Sequence, residues 1–266
     1  MSTISAPLID SHCHLDMDTY HNDLDNVLAR AAQAGVTHVV TIGIDRKSSQ
    51  QAIVLAKHYP SVFATVGIHP HDAAKATEQD LQCLVRLARQ EKVVGYGEIG
   101  LDYAKMYAPR DRQIELFHAQ LVLAKELNLP VIIHDRDAHE DTLKILRDHA
   151  PFPAGGILHC FSGDTAFADK ILALGFYISI PGIVTFKNAK ELGTVAARIP
   201  LDSMLLETDG PFLAPVPFRG KRNEPSYVRY TAEKVSELRD IPFDLLARTT
   251  SRNARTIFSL PKLHHE

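Results

Sequence analysis

Cysteine is scarce. Three in 266 residues cannot supply a disulfide framework, so Cys13, Cys83 and Cys160 are expected as reduced thiols. No apolar run approaches the roughly 18 residues that cross a bilayer, and the opening MSTISAPLID lacks the charged and apolar regions of a secretion signal. No membrane association is expected, and the expected compartment is the cytoplasm. An excess of positive charge is also missing. The chain has 29 Lys and Arg against 32 Asp and Glu, a net charge of -3, so contact with a nucleic acid would need a local basic patch or a bound metal. No GxGxxG follows the first apolar run, which removes the usual sign of a dinucleotide-binding sheet. Histidine, by contrast, is plentiful at 14. Imidazole is the commonest metal ligand, so the placement of these residues matters more than their number.

Short apolar, β-branched runs recur along the chain: PLIDSH, THVVTIGI, VFATVGIH, VVGYGEIG, PVIIHD, GGILHCFSG, FYISIPGI and SMLLETDGP. Near-continuous apolar runs suit strands buried on both faces, as parallel strands are. Helical spacing lies between them. In DLDNVLARAAQAG, Leu24, Val27, Leu28 and Ala31 share a face and the pattern closes on Gly35. TEQDLQCLVRLARQ opens with a capping threonine, and a long helix from Arg110 ends before Pro130. The final 40 or so residues carry helical patterns only. Eight alternations predict an α/β fold of the (β/α)8 TIM-barrel type, with a doubly wound open sheet as competitor. No linker or repeat interrupts residues 1–266, so one domain is expected.

On a strand, residues two apart share a face, so His12 and His14 of IDSHCHLD point together while Cys13 points away. The same alternation separates Cys160 from His159. The ends of other runs carry Glu98, His134, His159 and Asp209. In a barrel the C-terminal strand ends form the rim on which chemistry is done, so these six side chains are expected to converge. Four imidazoles and two carboxylates at one mouth make a metal site. One catalytic ion takes three protein ligands, whereas six serve two divalent ions if a carboxylate bridges them. Glu98 is the candidate bridge, with His12, His14 and Asp209 on one ion and His134 and His159 on the other. Two carboxylates leave such a pocket electropositive, suited to an anionic substrate.

Further candidates surround this set. Arg136, two residues past His134, is in position to reach a phosphate, or alternatively to pair with Asp135 or Asp137. FRGKRNEP places Arg219, Lys221 and Arg222 after the eighth run, the one compact basic cluster near the site. His69, ending the third run, is expected to line the pocket ahead of His71, and Glu207 to support a ligand imidazole from below. The other histidines, including His264 and His265, are read as surface or packing residues.

DSHCHLD, VGIHPHDA, GEIGLDY, IIHDRDA, HCFSG, SIPGIVTFKNA and LLETDGPFLAPVPFRGKRNEP occur in that order over nearly the whole length. With these motifs the chain resembles the TatD-type metal-dependent hydrolases, a branch of the amidohydrolase-like barrels. The resemblance implies a TIM-type barrel, a two-metal site and, in some relatives, 3′-to-5′ exonuclease activity on DNA. Its implied ligands fall on His12, His14, Glu98, His134, His159 and Asp209. Many relatives have alanine and tyrosine where this chain has Gly210 and Phe212, which affects substrate orientation rather than the metals. The expected function is hydrolysis of a phosphodiester, with DNA or another phosphate-containing substrate as partner, by a water activated at two divalent ions. Asp209 and Glu98 are the catalytic carboxylates, and His69, Arg136 and Arg222 the substrate contacts. Zinc suits the imidazoles, and magnesium or manganese is common in the family's nucleases. The alternatives are an amide or ester hydrolase, such as an aminoacyl-tRNA deacylase, and a non-catalytic metal-binding protein. No obligate protein partner is expected.

Overall fold

Each of the eight apolar runs forms a strand in the computed structural model, which describes residues 6–261. The strands are β1 (Leu8–Cys13), β2 (Val36–Thr41), β3 (Val62–Val66), β4 (Val93–Asp102), β5 (Val131–Arg136), β6 (Gly156–Leu158), β7 (Tyr177–Ile180) and β8 (Met204–Leu206). All neighbouring pairs are parallel, in sequential order. The segment after β8 closes the ring onto β1, with His14 N–H donating to Gly210 O at 2.7 Å and Asp209 N–H to His12 O at 2.9 Å. This is the (β/α)8 barrel. His264 and His265 lie outside the described residues.

The strands separate two apolar layers by simple alternation. Ile9, Val40, Ile132, Ile157 and Leu205 belong to one cluster, while Leu8, Val39, Val131, Ile133 and Leu206 belong to the other, which also holds helix residues such as Val27, Ala52 and Phe117. The first cluster is the barrel interior. It also takes in Ala254, Ile257, Phe258 and Leu260, from α9 (Phe243–Phe258) and the residues after it. Ser251 bonds Pro7 O, and Asn253 bonds Leu201 O and Met204 O, at the starts of β1 and β8. The last helix therefore plugs the N-terminal end of the barrel and leaves the C-terminal end for the site.

The expected helices form with identifiable caps. They are α1 (Leu24–Gln33), α2 (Arg46–His58), α3 (Glu78–Leu87), α4 (Arg110–Glu126), α5 (His139–His149), α6 (Thr165–Leu172), α7 (Lys190–Arg198) and α8 (Val228–Arg239), with α9 last. Thr77 caps α3 by accepting from Asp80 N while Asp80 returns a bond to Thr77 N, the reciprocal pairing that satisfies two end donors.

Strand lengths differ from the sequence reading where the site is built. β4 continues to Asp102, so Glu98 lies within it rather than at its end. The extension exists because Gly100, Leu101 and Asp102 pair with His134, Asp135 and Arg136. Gly100 is required there, since a Cβ would stand 2.0 Å from His134 O and its φ is +142°. His14, His159 and Asp209, in contrast, sit just past their strands, where the chain is already turning.

Candidate metal centre

The six side chains expected at the rim are gathered around Glu98. One carboxylate oxygen, Oε1, is 2.7 Å from His134 Nδ1 and 2.7 Å from His159 Nε2. The other, Oε2, is 3.4 Å from His12 Nε2 and 3.8 Å from His14 Nε2. Asp209 Oδ1 completes the second set, at 3.7 Å from His12 Nε2 and 3.5 Å from His14 Nε2. His12 and His159 stack with centroids 3.8 Å apart, which joins the two halves. All six are buried or nearly so, His134 least.

Such burial of ionisable groups needs compensation. Burial opposes ionisation of Glu98, but His159, His69 and His12 outweigh it and hold the carboxyl well below its ordinary range. Burial likewise opposes Asp209, and the bond from His14 with the charges of His12 and His159 brings it below the usual value. Burial disfavours the charged form of His159 too, yet Glu98 and Glu207 raise its pKa well above that of free imidazole. Burial dominates at His12 and lowers it. At neutral pH the centre presents ionised carboxylates facing imidazoles.

The donor set fits divalent cations. His12 Nε2, which faces Glu98 and Asp209, is buried without a hydrogen-bond partner, a cost that a bound cation would remove. Two bonds of about 2.1 Å at a tetrahedral angle span about 3.4 Å, close to the separations among His12, His14, Asp209 and Glu98 Oε2. The His134 and His159 side is at hydrogen-bond spacing instead, so those ligands must part by several tenths of an ångström to admit an ion. Three groupings have mutually close ligand atoms: His12, His14 and Asp209; His12, Glu98 and His159; and His69, Glu98 and His134.

Hydrogen bonding sorts His69 from the ligands. Its Nδ1 accepts from His71 N at 3.1 Å, so the neutral ring carries its proton on Nε2, which points at Glu98 Oε1 3.5 Å away. Burial, and then neighbouring His134, depress its pKa to about 4. His69 is thus a neutral N–H donor at the floor of the mouth, the character of a substrate contact. Cys13 packs away from the imidazoles, with Sγ near Tyr20 Oη and Gly210 O. Glu207 accepts from Cys160 N at 2.6 Å and lies 3.5 Å from His159 Nδ1, the supporting place expected of it.

Two residues escaped the sequence reading. Asp102 Oδ2 bonds His134 Nε2 at 3.2 Å and His71 Nε2 at 2.8 Å. It is the outer carboxylate that fixes the tautomer of His134 and leaves Nδ1 facing Glu98. Asp10 accepts from Thr208 N–H and its hydroxyl at 2.9 and 2.5 Å, stitching β1 to the segment bearing Asp209. Burial pushes its carboxyl up to about 8. A signal existed for Asp102, four residues past Glu98 and so on the same strand face, whereas an irregularity in β1 between Asp10 and Cys13 breaks the alternation that would relate Asp10 to His12. Asp209 itself adopts φ +58°, a left-handed conformation that a non-glycine residue holds only under constraint from its surroundings.

Arg136 is exposed at the end of β5. Asp135, its alternative partner, is taken by His139 and Thr142. Arg222 is engaged inside the protein, donating to Thr19 O and to both oxygens of Asp23 at 2.6–2.7 Å and lying over Tyr20. The structure thus leaves Arg136 free to meet a ligand and holds Arg222 on a neighbouring loop. Arg219 lies over Phe186. Among the described residues, no helix is long and apolar enough to cross a membrane.

Comparison with known proteins adds to this geometry. A family model described as "TatD related DNase" matches residues 9–259. The chain is 46% identical over 253 residues to "Uncharacterized metal-dependent hydrolase YabD" of Bacillus subtilis, covering 95% of this chain and 99% of that protein. It is 37% identical over 259 residues to "3'-5' ssDNA/RNA exonuclease TatD" of Erwinia amylovora, covering 95% and 100%. The crystal structure of YJJV, a TatD homolog from Escherichia coli K12, superposes with a TM-score of 0.91 at 35% identity, covering 96% of this chain and 98% of that one.

Proposed function

The chain belongs to the TatD-related DNase family of metal-dependent hydrolases, and from that premise we propose that it is a phosphodiesterase removing nucleotides from the 3′ end of DNA at a centre of two divalent cations. One observation carries the reading: the two oxygens of Glu98 face two different histidine sets, one 2.7 Å from His134 and His159, the other 3.4 and 3.8 Å from His12 and His14. A carboxylate so divided is suited to bridge two cations. Relatives named as 3′-5′ exonucleases supply the direction of attack.

Bound divalent cations supply acidified water and neutralise charge on phosphoryl oxygens. The protein does the rest. His12, His14 and Asp209 would hold one cation, His134 and His159 would hold another, and Glu98 would serve both. Asp209, ionised and tied by its backbone to His12 O, orients the attacking water and takes its proton. Asp102 keeps His134 in the tautomer that offers Nδ1 inward. His69 donates its Nε2 proton in a hydrogen bond to a phosphoryl oxygen, and Arg136 contributes a guanidinium at the rim. Arg222 stands as a substrate contact that must exchange Asp23 for phosphate.

The test is to incubate 5′-labelled single-stranded DNA with the protein and Mg²⁺, Mn²⁺ or Zn²⁺, in parallel with aminoacyl-tRNA and simple esters. Stepwise shortening from the 3′ end, abolished in Asp209→Ala and Glu98→Ala, is the expected result. Acyl release without shortening under every metal would replace this reading with that of an ester hydrolase.

A further inference from the structure

Eight large apolar side chains are conspicuously exposed in the described residues, and five of them, Met106, Tyr107, Phe212, Leu213 and Val216, lie on just two loops. These loops follow β4 and β8 on the side of the barrel where the metal centre opens. Tyr107 is 66% and Phe212 48% exposed. Each ring stands steeply inclined to an imidazole of the site or its support. Phe212 lies 6.0 Å from the His14 ring, and Tyr107 lies 4.7 Å from His71, which shares Asp102 with His134. Phe212 thus lies beside a residue facing Glu98 Oε2, and Tyr107 is linked through His71 and Asp102 to a residue facing Oε1.

The loops are held firmly although the rings are not covered. A fully buried Asn223 donates from Nδ2 to Thr208 O and to Phe212 O, at 2.7 and 2.6 Å. A fully buried Gln113 accepts from Asp102 N and donates to Asp102 O and Ala108 O, bracketing Tyr107. Two interior amides are thus committed to fixing the backbones that carry the exposed rings. Phe212 has no polar atom, so it can offer a ligand only a π-face and apolar contact.

Unpaired nucleobases are the ligand with matching chemistry. They are flat and polarisable, and they flank a phosphodiester on both sides; each base–aromatic stack contributes sequence-tolerant affinity. Resting on the nuclease reading above, we propose that Tyr107 and Phe212 are stacking platforms for unpaired bases next to the scissile phosphate. Arg136, exposed at the end of β5, offers a cation for the phosphate charge.

Binding can be separated from cleavage by using metal-stripped protein with chelator present. The probes are a 3′-terminal 2-aminopurine oligonucleotide, whose fluorescence is quenched on stacking, and a strand of equal length and charge with abasic 3′-terminal positions. The intact protein should quench the probe and bind it more tightly than the abasic strand. Tyr107→Ala and Phe212→Ala should each weaken binding of the base-bearing strand about 5- to 100-fold while leaving the abasic strand within about twofold, and Tyr107→Phe and Phe212→Tyr should retain the preference. Equal affinity for the two strands in the intact protein, or alanine variants that keep the full preference, would overturn the proposal. If the intact protein stacks and discriminates but shortens no oligonucleotide under any metal, the stacking proposal stands and the nuclease reading falls.

Discussion

Replacing Asp102 with asparagine isolates the outer support of the metal centre. The aspartate has two acceptor oxygens and uses both. Oδ2 serves His71 and His134 at 2.8 and 3.2 Å, and Oδ1 accepts from Lys105 N at 2.8 Å. The residue is 1% exposed. Asparagine keeps one acceptor and introduces an N–H₂ that must face either a backbone N–H or two imidazole N–H groups, so one of these contacts becomes repulsive. His134 then loses the partner that holds its tautomer. Losing such a support typically weakens metal binding 10- to 100-fold, about 1.4–2.8 kcal/mol, and the effect here should fall on one position only, because His12, His14 and Asp209 do not contact Asp102. Calorimetric titration of metal-stripped Asp102→Asn with Zn²⁺ should show two steps, one as in the parent and one weakened by that factor. Saturating metal should restore most of kcat. Two unchanged steps, or equal weakening of both, would refute the assignment of Asp102 as the support of His134.

Other perturbations probe the frame. Phe258 is buried in the barrel interior at the plugged end, so Phe258→Ala should lower stability by about 3–5 kcal/mol in urea unfolding while the folded fraction keeps its specific activity. His38 lies in the lower barrel, where burial, with the charges of Arg255 and Lys92 behind it, depresses its pKa to about 4. The unfolded chain takes up this proton near pH 6.5 and the folded one does not, so stability should fall as pH drops from 6.5 towards 4 by on the order of 2 kcal/mol. His38→Gln should flatten that part of the pH–stability curve, and curves that remain parallel would refute it. Arg222 and Asp23 should couple by about 0.5–1 kcal/mol in a double-mutant cycle; a raised KM for DNA in Arg222→Ala with no change in Tm would instead assign this arginine mainly to substrate.

The barrel and its six central side chains were legible because each leaves a local trace. Buried parallel strands read as apolar runs, and rim residues fall where those runs stop. What was hidden depends on register between strands. Asp102 lies beyond the run VVGYGEIG, and only the pairing of β4 with β5 carries it alongside His134. Asp10 read as part of a motif, yet its role comes from Thr208, 198 positions away. Arg222 read as a basic loop residue, and nothing local announces that Asp23 receives it. The tautomer of His69 likewise rests on the folded backbone of the Pro70–Asp72 turn.

The most direct measurement is metal content per chain, by mass spectrometry of the native protein after equilibration with Zn²⁺ or Mn²⁺, comparing the parent with Glu98→Gln. Two ions are expected in the parent, with loss of at least one when the shared carboxylate is neutralised and hydrolysis lost in parallel. A parent that takes up a single ion, or that hydrolyses DNA undiminished after its metals are stripped, would contradict this expectation.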